Sequence, residues 1–188
     1  MNRYNHLQTG CTFSSGEATT TKDLKFRLIN PQPAGIYGPL ITFSPGANKS
    51  VREDIAAWIE AAVIVGDRSI NISSTTNAKH VEPNHKMGLG VDVNFVGSPG
   101  YKPENGKWSE QFHIKNGLNS ADVSALVEQL AFGASPARVR DLYSPNFFSD
   151  NKHGHRFPDQ IQPSAYGWKV HQTHIHIGVQ SPSQLGDD

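Results

Sequence analysis

Histidine and aspartate at two remote places in this chain have the types and spacing to do chemistry. His85 and Asp92 bracket the run His85-Lys86-Met87-Gly88-Leu89-Gly90-Val91-Asp92, and His174 and His176 alternate in His171-Gln172-Thr173-His174-Ile175-His176-Ile177-Gly178. Two imidazoles and a carboxylate can hold a divalent metal and leave a position for water, which a catalytic site needs and a fully ligated structural site lacks. Hard carboxylate with imidazole suits zinc, one Zn2+ per chain, although the same donor set also serves iron.

The elements around these residues must bring them together. As a strand, Thr173–Val179 turns His174 and His176 to one face, about 7 Å apart along the chain, while Ile175 and Ile177 face the core. His171 stands at odd spacing from His174, so the chain must leave β-geometry at Gln172-Thr173 if both are to converge. Val91, Val93 and Phe95 alternate with Asp92 and Asn94 and predict a second strand, closed by Gly97-Ser98-Pro99-Gly100. Asp92 is then a carboxylate in an otherwise apolar strand, costly unless paired or bound to a cation. Gly88 and Gly90 let the preceding polar loop, Thr76 to Gly88, fold back so that His85 approaches Asp92.

The remaining elements complete an α+β pattern. Short strands are expected within Leu24–Ile29 and Ile36–Phe43. Ser50-Val51-Arg52-Glu53 reads as a capping box ahead of a helix with Ile55, Trp58, Ile59 and Ala62 on one face, ended by Gly66-Asp67. Ser69–Thr75 alternates as a strand, Ser120 caps a helix striped by Val123, Leu126, Val127 and Leu130, and Val139–Tyr143 is a further strand. Residues 144–168 read as irregular. The expected fold is a single α+β domain over residues 24–182, a small antiparallel sheet packed by a few helices with the metal site on the open sheet face. It lies between a mobile segment, 1–23, and a short tail, 183–188.

Composition narrows the class. The 188 residues carry 17 basic and 17 acidic side chains with no basic stripe, which argues against nucleic acid as partner. No segment is long and apolar enough to span a membrane, and the first residues hold no signal-peptide core, so export would need a specialised secretion system, a phage lysis route or a leader removed. Cys11 stands alone and has no neighbouring base to activate it. His153-Gly154-His155 sits in a Gly/Asn-rich stretch without a carboxylate motif and reads as loop. His6 and His113 read as surface residues, and Trp108, Tyr166 and Trp168 as aromatics lining a cleft or packing.

His-x6-Asp followed much later by His-x-His resembles the signature of the zinc peptidoglycan peptidases of the lysostaphin, D-Ala-D-Ala carboxypeptidase and hedgehog-like group. Gly88 and the ending Gly90-Val91-Asp92 are similar to the carboxypeptidases. His171-x-x-His174-x-His176 is similar to the penicillin-insensitive murein endopeptidases. The resemblance covers roughly residues 68–96 and 168–180. It implies His85, Asp92 and His176 as zinc ligands, His174 as the histidine beside the reacting water and His171 as a second acid/base group. Thr173 stands where the carboxypeptidases place a catalytic Glu or Asp, Pro83 where they place Ser, and no Arg follows Ser73-Ser74-Thr75-Thr76; His80 or Lys79 is the stand-in for that substrate-holding Arg.

The resemblance implies a zinc metallopeptidase acting in the periplasm or cell wall on peptidoglycan stem peptides or cross-links. It would be an endopeptidase or a D,D-carboxypeptidase, in the setting of a secreted antibacterial effector, countered by an immunity or inhibitor protein, or of a phage lysis enzyme. Two other readings fit the donor set: an inactive, zinc-stabilised hedgehog-like binding module, and a non-haem iron oxygenase.

Overall fold

The computed structural model describes residues 25–76, 83–133, 139–145, 147–150 and 170–180. In chain order the elements are β1 (Phe26–Arg27), β2 (Ile41–Phe43), β3 (Val51–Arg52), α1 (Glu53–Gly66), β4 (Arg68–Ser74), α2 (Pro83–Lys86), β5 (Gly90–Pro99), α3 (Ser120–Gly133), β6 (Val139–Ser144), β7 (Phe147–Asp150) and β8 (Ile175–Val179), with two 3-10 turns before α3. β1 and β3 form a two-stranded ribbon. The other strands make one sheet in the order β2-β4-β5-β8-β6-β7. The class is α+β. The sheet is antiparallel except for its edge pair β2–β4, which is parallel and makes the whole sheet mixed.

Alternation divides the sheet into two faces. Val91 pairs with Ile177 and Val93 with Ile175, and Leu142 lies beyond Ile177 on β6; all are buried, with Ile41, Ile70 and Ile72 in the same core. Against this face pack Ile55, Ile59, Ala62 and Val63 of α1 and Val123, Leu126, Val127 and Leu130 of α3. Trp58 Nε1 donates to the Leu130 carbonyl at 3.0 Å, which satisfies the buried indole and pins the helices together. The other face carries Asp92 opposite His176 and His176 opposite Tyr143. The candidate metal site therefore lies on the face away from the helices. Ile177→Ala, at a side chain 1 % exposed, is expected to cost about 2–5 kcal/mol in urea unfolding.

Several local expectations are corrected. Ser50 does not cap α1: Val51 and Arg52 are drawn into the ribbon with β1, so the helix starts one step after Arg52 and has no side-chain cap. Arg52, 3 % exposed, instead grips both carboxylate oxygens of Asp54 and donates to the Gln180 carbonyl just past β8. α3 begins at Ser120 itself, with the Asn119 carbonyl accepting from the Val123 N–H. β1 and β2 are shorter than expected, and β8 starts at Ile175 because Gln172–His174 is bent. β7 pairs with β6 inside the stretch read as irregular.

Strand β5 departs from simple alternation. Asn94 is an extra residue between the pairs Ile72↔Val93 and Asn71↔Phe95, and Ser73 is an extra residue on β4 between Ile72↔Val93 and Ser74↔Asp92. Each is a two-against-one bulge. Val96 thus takes the core position that alternation gives to Phe95, and Phe95 turns to the face of Asp92, its ring tilted against His113 at 4.4 Å. His113 is half-buried there rather than on the open surface. The strand also runs through Gly97 and Ser98 to Pro99, past its expected stop.

Candidate metal centre

Asp92 Oδ1 is approached by three imidazole nitrogens. His176 Nδ1 lies at 2.8 Å, His85 Nε2 at 3.3 Å and His174 Nε2 at 3.8 Å. Each of His85, Asp92 and His176 offers a donor atom within 4.8 Å of the others, and all three residues are buried. Two come from neighbouring strands in direct register; the third comes from α2, a single helical turn in the segment expected as loop.

His85 is held from both sides. Its Nδ1 lies 2.9 Å from the Thr75 carbonyl, and Thr75, fully buried, donates through its own hydroxyl to the Ala47 carbonyl at 2.7 Å. A carbonyl only accepts, so Nδ1 carries the proton, and Nε2 faces Asp92 as a lone pair in the neutral ring or as a donor in the imidazolium. Lone pair facing carboxylate is repulsive unless a cation, a proton or a metal, sits between them. A backbone acceptor behind the distal nitrogen is also how metal-ligating histidines are oriented. The donor set fits a metal ion on these grounds, with His85, Asp92 and His176 as the residues that would hold it.

The floor of the site is made by two glycines. Gly90 and Gly178 face each other across β5 and β8. A Cβ on Gly90 would come 3.2–3.3 Å from the His85 ring, and one on Gly178 would come 3.1 Å from Asp141 Oδ2. Glycine at 90 is thus needed less for loop freedom than to let an imidazole lie on the sheet. Gly90→Ala is expected to weaken zinc affinity about tenfold in a competition titration with little change in melting temperature, because the ring is tethered to Thr75 and has little room to shift.

Exposure separates the histidines by place. The side chains of His85 and His176 are each 3 % exposed, whereas that of His174 is 24 % exposed. His174 thus stands at the mouth, its Nδ1 3.3 Å from the Thr173 hydroxyl and its Nε2 toward Asp92. His171, buried, makes tilted ring contacts with His174 at 5.2 Å and His176 at 5.4 Å between centroids, and the bend at 172–174 supplies the break in β-geometry that their convergence requires.

Electrostatics follow from burial. Desolvation alone would push the Asp92 carboxyl up, but hydrogen bonds from His176 and His85 together with their charge outweigh it and hold the group far below the usual carboxylate range. Burial pulls the His174 imidazole down to about 4; Asp92 works against this fall, and His171, His176 and His85 add to it. His174 is therefore neutral near pH 7 and able to accept a proton.

Three residues here escaped the sequence reading. Tyr143, directly opposite His176, stacks on His176 at 5.8 Å and meets the tilted ring of His171 at 4.7 Å, and its hydroxyl donates to Oδ1 of buried Asp141 at 2.9 Å. Asp141 and Tyr143 share a face by the same i, i+2 rule that singled out His174 and His176; that signal was present. Thr75 acts through its backbone, which no side-chain pattern reveals. His80, Lys79, His153, His155, Tyr166, Trp168, His6 and Cys11 lie outside the described residues.

No protein-family model, no curated protein and no solved structure matches this chain. Among the described residues no helix is long and apolar enough to cross a membrane.

Proposed function

We propose that this protein is a zinc-dependent peptidase that hydrolyses peptide bonds of bacterial cell-wall peptidoglycan, as an endopeptidase or a D,D-carboxypeptidase, acting in the periplasm or cell wall. The observation that carries the reading is the convergence of buried His85, Asp92 and His176 with the more exposed His174 at their open side. The wall substrate rests on the motif resemblance, in which these same positions are ligands and acid/base groups.

A divalent metal held by the triad would lower the pKa of water toward neutrality and polarise the scissile carbonyl. His174 is placed to take the proton of the attacking water at Nε2 and return it to the leaving amine. The Thr173 hydroxyl at Nδ1 fixes which ring nitrogen faces the centre, a positioning task for the residue that replaces the carboxypeptidase acid. His171, in tilted ring contact with both His174 and Tyr143, is the second acid/base group beside the centre.

The test is incubation of purified sacculi with zinc-loaded protein and chromatographic profiling of released muropeptides. Release that stops on chelation and resumes with zinc is expected. Negligible release from zinc-loaded protein would favour a zinc-stabilised binding module, and stoichiometric iron with oxygen-dependent turnover would replace the hydrolase with an oxygenase.

A further inference from the structure

The sheet face that bears the triad continues past it. Three residues beyond Asp92 on β5, Phe95, Asn71 and Thr42 align across β5, β4 and β2. Trp108 lies on this row, its ring 5.4 Å from Phe95 and its Nε1 donating to Thr42 Oγ1 at 2.8 Å. Tyr101 leans on Trp108 at 5.2 Å, over Gly97, where any Cβ would strike the phenol ring. These half-buried rings, with exposed Lys102, Glu104, Asn105 and Lys107, line a cavity of about 610 Å³. A tight turn fixes one wall: Lys107 N–H donates to the Glu104 carbonyl at 2.8 Å across Asn105 and Gly106, both at positive φ.

Two aromatic faces held by hydrogen bonding and packing, beside two ammonium groups and one carboxylate, suit a ligand with an apolar ring face and carboxylates of its own. A pyranose carrying an acidic peptide has both. Phe95, about 10 Å from Asp92 along the strand, touches Trp108 of the cavity wall with ring centroids 5.4 Å apart, so cavity and triad share one sheet face. Resting on the wall-peptidase reading above, we infer that this cavity is a glycan-side subsite. It takes the N-acetyl sugar of a sugar-linked peptide and a carboxylate of that peptide, and the peptide runs along the same sheet face toward the triad.

The experiment is calorimetric titration of zinc-loaded His174→Ala protein, slowed in turnover, with a disaccharide-linked tetrapeptide wall fragment and with the same tetrapeptide free. The sugar-linked fragment is expected to bind about tenfold more tightly. Trp108→Ala should erase that advantage while free-peptide affinity and zinc content stay unchanged, and the exposed pair Lys102→Glu with Lys107→Glu should weaken both probes, since both carry the carboxylate. An advantage that survives Trp108→Ala, or unchanged binding of both probes by the paired lysine variant, overturns the subsite. Equal binding of the two probes by protein that still cleaves sacculi also overturns the subsite and leaves the peptidase reading standing. Failure to bind either probe, with no release from sacculi, removes both.

Discussion

Replacing Asp92 by Ala is expected to abolish stoichiometric zinc retention, with affinity falling more than about 100-fold. The carboxylate is the only acidic member of the buried triad, and three imidazole nitrogens gather around its Oδ1. Without it, His85 and His176 face each other with no negative charge to offset a divalent cation in a desolvated place. The clearest readout is thermal. At zinc one hundred times its dissociation constant, a ligand that binds only the folded state stabilises it by about 2.7 kcal/mol. In a domain of this size that is a rise of about 5–10 °C in melting temperature. The wild type should show the rise and Asp92→Ala should not. An identical zinc-dependent rise in both would place the ion elsewhere or remove it altogether.

His174→Ala should behave in the opposite way, keeping zinc and losing turnover. His174 lies outside the triad, at 3.8 Å from Asp92 Oδ1, and is the more open of the histidines around that oxygen. Loss of a general acid/base lowers kcat by about 10²–10⁴, so muropeptide release should drop by that factor while metal analysis still returns one ion per chain. Burial keeps the imidazole neutral near pH 7, with a value of about 4, so the form lost in the variant is the proton acceptor. Release within a few-fold of wild type would take the acid/base role from His174 and pass it to His171. Loss of zinc in the variant would instead make His174 a ligand.

The faces these residues occupy are legible in the sequence because period-two alternation is local physics, while the roles given to them come from the motif resemblance. Ile175 and Ile177 had to face a core, so His176 had to face away from it; Val91 and Val93 imposed the same on Asp92. The helices followed equally from apolar stripes, Ile55 to Ala62 and Val123 to Leu130. Spacing erred where a non-local contact overruled a local preference. The ribbon with β1 took Val51 and Arg52 from the expected cap. A bulge at Asn94 sent Phe95 to the far face and so built the shelf under Trp108.

The chain's own order of residues determined which groups can bind a cation, which faces of two strands they occupy, and the α+β class that carries them. These depend on side-chain type and on backbone periods that neighbours in sequence share. Tertiary structure alone decided the register that sets Asp92 against His176 and Gly90 against Gly178, the Thr75 carbonyl that orients His85, and the arrival of Asp141 and Tyr143 beside the site. Pairing register and backbone hydrogen bonds between distant segments depend on the whole sheet closing at once, and no stretch of sequence encodes that by itself.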